Sequence, residues 1–349
     1  MMANNPLIAA DTAVSKRLLL HADDLGMNQP VTDGILRGFR HGLLTSTSLL
    51  ANAPAAAEAL RVWPQLQEQQ AAGVLPSAES RERLGDTGSP FDLGIHLNLT
   101  QGYPLTGSRY PDELREGDGH FCGISRAFVR LRRRRHRFVA SITAELSQQI
   151  EFLLDHGQQP THLNGHQYVE LLPGLSQIIP RLLANYRIPV VRVAREPARF
   201  PESIIAAREL SNWGLGRIKW LFALAFRQRM IRLGVPHPRA CFGTCHAGRV
   251  GLSAMRRFLD GGQMPAVVEL VMHPGSLAEV RDVPAETAGD TWHDPLAIGR
   301  TRELDLLQSE ELIDLFESRG WQLGRLSELV DFSQRTVNTG DRIQNETAA

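Results

Sequence analysis

Hydrophobic runs in this chain are short, and several end in polar or acidic residues. Leu18-Leu19-Leu20 leads into His21-Ala22-Asp23-Asp24-Leu25-Gly26, the pattern of a central parallel strand whose working end is its C-terminus. Over 29–42, apolar Val31, Ile35, Leu36 and Phe39 recur at helical spacing and Gly42 closes the helix. A β-rich stretch at 43–50 and a helix start at Pro54 repeat the unit, while 71–90, rich in small and charged residues, reads as a surface insertion. Over 93–100, Leu93, Ile95, Leu97 and Leu99 alternate with His96, Asn98 and Thr100, a strand whose polar face must meet water, a partner or a site. Residues 101–122 follow as a long loop of the kind that lids active sites.

Helices are expected over 125–157 and 173–184. Between them, Pro160 opens an extended segment with His162, Asn164, His166 and Tyr168 at period two, and Gly165 permits a bulge or a close backbone approach. A short buried strand at 188–193 carries one polar residue, Arg192, and 266–275 repeats the opening design with His273 at its end. A helix at 300–316 and a short strand at 321–323 complete an alternation of strands and helices, the signature of an α/β fold with a parallel sheet.

Composition narrows the picture. With 349 residues and 42% apolar content the chain can bury a full core, and 38 basic against 38 acidic residues leave no global field to recruit nucleic acid. Cys122, Cys241 and Cys245 make no even framework and are expected as reduced thiols of a cytoplasmic protein. Residues 1–15 lack the start and apolar run of a signal peptide, no segment is long enough to span a membrane, and 1–15 and 331–349 read as disordered tails. Two segments stay open. The arginine run from Arg126 to Arg137 is a solvated helix face or an anion or lipid-headgroup patch. In a helical insertion over 197–240, Ile218, Trp220, Leu221, Phe222, Leu224 and Phe226 crowd one helix, which serves as core, as a homodimer interface or as a lipid contact at the mouth of a pocket.

The chemistry gathers at four strand ends, which offer Asp23 with Asp24, His96, His166 and His273. Adjacent carboxylates repel, so burying the pair requires a cation or a shared proton. One carboxylate and two imidazoles suffice to hold a divalent metal with positions left open, the catalytic rather than the structural pattern. The remaining Asp and His suit the base and acid that a hydrolysis needs.

His21-Ala22-Asp23-Asp24-Leu25-Gly26, Gly94-Ile95-His96-Leu97-Asn98-Leu99-Thr100, Pro160-Thr161-His162-Leu163-Asn164-Gly165-His166-Gln167, Met272-His273-Pro274-Gly275 and Arg300-Thr301-Arg302-Glu303-Leu304 resemble, in order and spacing, the YdjC-like carbohydrate deacetylases, the chitooligosaccharide deacetylase family. The resemblance runs from about Arg17 to Leu329 and implies an irregular (β/α) barrel of the glycoside hydrolase/deacetylase type over 16–330. It also implies metal-dependent removal of an acetyl group from an N-acetylated sugar. Carried over, Asp24, His96 and His166 are the metal ligands, Asp23 the general base and His273 the general acid, with Asn98, Asn164, Tyr168, Arg192 and Arg300 as substrate contacts. The family usually has Asn at His21, Asp-Ser at Asn164-Gly165, and histidines at Tyr168 and Glu170. Asn164-Gly165-His166-Gln167, Arg195-Glu196-Pro197 and the helical insertion are more similar to the hopanoid-biosynthesis-associated branch, whose members act on an N-acetylglucosaminyl lipid. The expected partner is therefore an acetylated oligosaccharide or glycolipid, with peripheral membrane contact. Family resemblance implies Mg²⁺ as the cation, whereas two imidazoles favour Zn²⁺, Co²⁺, Ni²⁺ or Mn²⁺ on ligand softness. The competing readings are another metal hydrolase on the same barrel, a phosphoesterase or a deacetylase of non-sugar amides, and a non-catalytic sugar- or lipid-binding protein.

Overall fold

The computed structural model describes residues 16–195, 210–244, 246–260, 264–276, 292 and 294–330, side chains of 210–220 excepted. The expected tails and the first part of the expected helical insertion, 197–209, lie outside these residues, as do Cys245 and the side chains of Ile218 and Trp220.

The strands are β1 (Lys16–Leu25), β2 (Ser46–Leu49), β3 (Asp92–Leu97), β4 (His162–Gly165), β5 (Val190–Val191), β6 (Ala240–Phe242), β7 (Val267–Met272) and β8 (Trp321–Leu323). All pair in parallel, in the order β5-β4-β3-β2-β1-β7-β6 with β8 beside β1. Because β7 covers Arg17–Ala22, β8 at Lys16–Leu18 and β2 from His21 upward share the other edge of β1. The sheet curls until its ends nearly meet: Val191 N–H donates to Pro236 at 3.1 Å and Cys241 N–H to Arg195 at 3.3 Å. This is an irregular, open α/β barrel, as expected.

The helices are α1 (Gln29–Arg40), α2 (Ala56–Ala71), α3 (Ala78–Arg83), α4 (Ile124–Asp155), α5 (Leu175–Asn185), α6 (Leu210–Arg232), α7 (Leu252–Asp260), α8 (Ala297–Leu307) and α9 (Glu310–Ser318). In α1, Asn28 caps the first turn by accepting from Val31 N–H at 2.9 Å, and the periodic Val31, Ile35, Leu36 and Phe39 are all buried. Described residues of both expected insertions are tied into the barrel. Residues 71–90 contain α3, whose buried Arg81 donates to the carbonyls of Phe39, Gly42 and Leu44 and so ties the segment to the barrel floor. The helix α6 is the connection from β5 to β6 and packs Ala223, Phe226 and Met230 into the core. The loop at 101–122 is also fixed, because buried Glu145 accepts from Leu105 N–H, Thr106 N–H and the Thr106 hydroxyl.

Inside the barrel, side chains stack in layers set by the two-residue period of the strands. Leu19, Val190 and Val267 pack with Leu326 and Leu329 at the bottom. Two residues further along each strand come His21, Arg192 and Glu269, all buried, with Glu269 accepting from Arg192 and lying 3.9 Å from His21. The next step reaches Asp23, at the C-terminal mouth where α/β barrels keep their chemistry.

Candidate metal centre

Strict alternation would send Asp23 into the barrel and Asp24 to the outside. A β-bulge prevents this: the register of β1 against β2 shifts between Ala22 and Leu25, and Asp24 adopts φ +72°, a left-handed conformation that Asp tolerates better than most residues. Both carboxylates therefore reach the mouth, and each receives its own buried arginine. Arg192 grips Asp23 through Nη1 at 2.7 and 2.8 Å, and Arg300 Nη2 meets Asp24 Oδ2 at 2.7 Å. Burial alone would raise these carboxyls, but Arg192 holds Asp23 well below the usual range, and the charge of Arg300 does the same to Asp24.

Asp24 Oδ1 lies 3.4 Å from His96 Nε2 and 3.0 Å from His166 Nδ1, and these three residues bring one ligand atom each within 4.8 Å of one another. The opposite nitrogen of each ring meets an amide oxygen: His96 Nδ1 faces Asn164 Oδ1 at 3.0 Å, and His166 Nε2 faces Gln101 Oε1 at 2.6 Å. An amide oxygen only accepts, so each ring keeps its proton on that side and turns a lone pair toward Asp24. Facing lone pairs at these separations repel unless a cation lies among them. Separations of 3.0–3.4 Å suit neighbouring donors bonded at roughly 2.0–2.3 Å to a shared ion. The donor set fits a divalent metal, as the sequence expectation required.

His273 follows β7, with Nε2 3.8 Å from Asp23 Oδ2. Its backbone N–H donates to Glu303 at 2.5 Å, and Glu303, raised by burial to about 7, also accepts from Val250 N–H. Burial depresses His273 to about 4. Below, His21 bridges Ser46 Oγ at 2.8 Å and Ser48 Oγ at 3.1 Å and reaches Asp23 at 3.1 Å; burial, then the charge of Arg192, lowers it to about 3, so the ring is neutral.

The expected substrate contacts are engaged within the protein. Asn98 is fully buried beyond the end of β3; its amide N–H groups go to Asn52 and the Gln101 carbonyl, and its oxygen accepts from Thr100 and Gln101. Asn164 donates to Asp23 at 2.9 Å while accepting from His96. Arg192 and Arg300, 3% and 2% exposed, are the carboxylate anchors. Tyr168 does not continue a strand face: β4 stops at Gly165, and Gln167 and Tyr168 turn left-handed at φ +50° and +63°. Its hydroxyl donates to the Thr244 carbonyl across the gap between β4 and β6. Asn98, Asn164, Arg192 and Arg300 are thus buried and hydrogen-bonded within the protein, and Tyr168 lies on a turn beyond the strand face on which the period-two spacing placed it.

Sequence reasoning missed Gln101, Glu269 and Glu303. Glu269 had a signal, as the lone charge inside the apolar run from Val267 to Met272; it is fully buried and accepts from Arg192 Nε at 2.8 Å. Trp292 also stands at the mouth, its indole pressed onto Gly102, where a β-carbon would lie 2.7 Å from the ring. That seat needs glycine twice over, since Gly102 has φ +70°.

The sequence profile of the YdjC-like proteins matches residues 17–318, and the chain belongs to that family. A carbohydrate deacetylase of Geobacillus stearothermophilus is 34% identical over 185 residues, 52% of this chain and 62% of that protein. One from Brevibacillus brevis is 24% identical over 317 residues, 90% of this chain and 99% of its own length. The chain thus aligns with about three fifths of the first of these relatives, while the second match runs nearly end to end. A crystal structure from Enterococcus faecalis V583, of a protein with a proposed role in cellobiose-phosphate cleavage, superposes with a TM-score of 0.63 at 19% identity, covering 90% of this chain and 99% of that one. That likeness shows the fold.

Proposed function

We propose that this chain is a metal-dependent hydrolase that removes the acetyl group from the nitrogen of an N-acetylated carbohydrate, an oligosaccharide or a glycolipid containing N-acetylglucosamine. The observation that carries the reading is the convergence of Asp24, His96 and His166 beside Asp23 and His273 in a YdjC-like chain. The names of the relatives supply the substrate class.

Asp24, His96 and His166 would hold a divalent cation, whose chemistry when bound would be Lewis acidity toward the amide carbonyl and a water. Asp23 accepts a proton from the attacking water. Arg192, Asn164 and His21 fix its orientation and keep it anionic beforehand. His273 is neutral at pH 7, so the proton it delivers to the departing amine is one it must first collect. Asp23 lies 3.8 Å away and is the group from which His273 would take it, passing on the proton of the attacking water. Two imidazole ligands favour Zn²⁺, Co²⁺, Ni²⁺ or Mn²⁺ over Mg²⁺. A cytoplasmic location, with cysteines kept reduced, belongs to the same reading.

The test is acetate release from a panel of N-acetylated oligosaccharides, an N-acetylglucosaminyl glycolipid and non-sugar acetamides, with phosphate release from model esters in parallel. The protein is first stripped with chelator and then given each metal. Metal-restored acetate release confined to the sugars supports the reading. Phosphate release, or hydrolysis of non-sugar amides alone, overturns it in favour of another metal hydrolase.

A further inference from the structure

The arginine-rich part of α4 stands clear of the body. Residues 132–137 are all exposed, six in succession, so no side of the helix is covered there, and Arg134 breaks helical geometry at φ −139°, ψ 31°. Arg126, before this stretch, and Arg137, at its end, are paired with Glu116 and Glu113. Among the described residues Arg132, Arg133, Arg134 and Arg135 have no acidic partner. In a chain whose net charge is zero, this is a local concentration of positive charge.

Exposed apolar side chains lie beside it. Val129, one turn before Arg132 and Arg133 on the same face, is 49% exposed. The preceding Phe128 meets Phe222 of α6 edge to face at 5.5 Å, and Leu221 and Phe222 are 58% and 36% exposed. From Phe222 a groove of about 360 Å³ runs along α6 against the turn into α5, walled by apolar Phe222 and Phe226 at one end and by Arg229 and Arg232 at the other. Arg135 borders the same turn, its Cβ 3.6 Å from where a side chain on Gly174 would begin. Among the described residues, the only carboxylate lining the groove is that of Glu170, which is 1% exposed.

We propose that this face of α4 and α6 docks on an anionic lipid bilayer. Charge complementarity selects the occupant: phosphate headgroups meet the arginines, while Leu221, Phe222 and Val129 enter the acyl boundary. A nucleic acid would satisfy the arginines but leave the aliphatic side chains facing phosphates. A second copy of this chain, meeting it face to face, would bring like charges together. The groove and the metal centre lie on either side of one turn, His166–Leu171, since His166 reaches Asp24 and Glu170 lines the groove. Docking would therefore hold the mouth of the barrel near the membrane. The inference stands independently of the proposed reaction.

Flotation of the full chain with phosphatidylcholine vesicles, with and without phosphatidylglycerol, tests it. Binding is expected only with the anionic lipid and should weaken steeply with salt. Replacing Arg132, Arg133, Arg134 and Arg135 together by Gln should lower partitioning by roughly a hundred-fold or more while leaving the circular dichroism spectrum unchanged. Leu221→Ser should remove the binding that survives at high salt. Absence of wild-type binding, undiminished binding by the four-glutamine variant, or equally tight binding to duplex RNA would each overturn the proposal.

Discussion

Asn164 Oδ1 accepts the Nδ1 proton of His96 at 3.0 Å, which leaves the other nitrogen of that ring aimed at Asp24. Asn164 cannot be turned over, because its Nδ2 donates to Asp23 at 2.9 Å and a flipped amide would set oxygen against carboxylate. Replacing it with Leu, similar in size but without either function, should weaken divalent-metal affinity about 10- to 100-fold, measured by metal titration calorimetry. Unchanged affinity would mean that His96 is oriented by packing alone.

Asp23 and His166 should separate by phenotype. Asp23→Asn retains the three ligand residues but cannot accept a proton, so metal binding should persist while kcat falls about 10²- to 10⁴-fold. His166→Ala should lose both. If Asp23→Asn turned over like the wild type, the base would lie elsewhere.

Arg300 is 2% exposed and neutralises Asp24 through a 2.7 Å contact. Arg300→Met should cost roughly 3–5 kcal/mol in metal-free protein, because it leaves a buried carboxylate unpaired. Added divalent cation should then raise Tm further in the variant than in the wild type. Equal metal-induced shifts would show that the arginine and the cation do not share one charge.

Stability should fall as pH drops from about 6.5 toward 4.5. His21, lowered to about 3, and His273, lowered to about 4, are neutral when folded, whereas the unfolded chain protonates both near 6.5. The unfolded state therefore binds more protons in this window, and acid favours it. His162, lowered well below its ordinary value by burial, adds in the same sense. Glu303, raised to about 7, acts in the opposite sense, as do Glu269, Asp92 and His96, which are also raised, so these groups soften the decline. In thermal melts at a series of pH values, His21→Asn should flatten the decline. A slope as steep as the wild type's would mean that His21 does not enter the folded state neutral.

The sequence by itself determined the strand ends and the candidate ligands, because both follow from local patterns. An apolar run ending in a polar residue marks a buried parallel strand and its working end, so Asp23, His96 and His273 were legible one strand at a time. What each polar residue does was decided only by tertiary structure. No local pattern says that Asp24 turns left-handed in a bulge; read as a plain strand, β1 would put it on the far side from Asp23. Nothing near Arg192 or Arg300 in the chain says that each meets an aspartate from 169 or 276 residues away. Tyr168 kept the strand period on paper but left the strand in space, since the turn after Gly165 is fixed by contacts reaching as far as Thr244. Periodicity records which side of an element is buried, whereas the partner of a buried charge is chosen by distant parts of the chain that folding brings beside it.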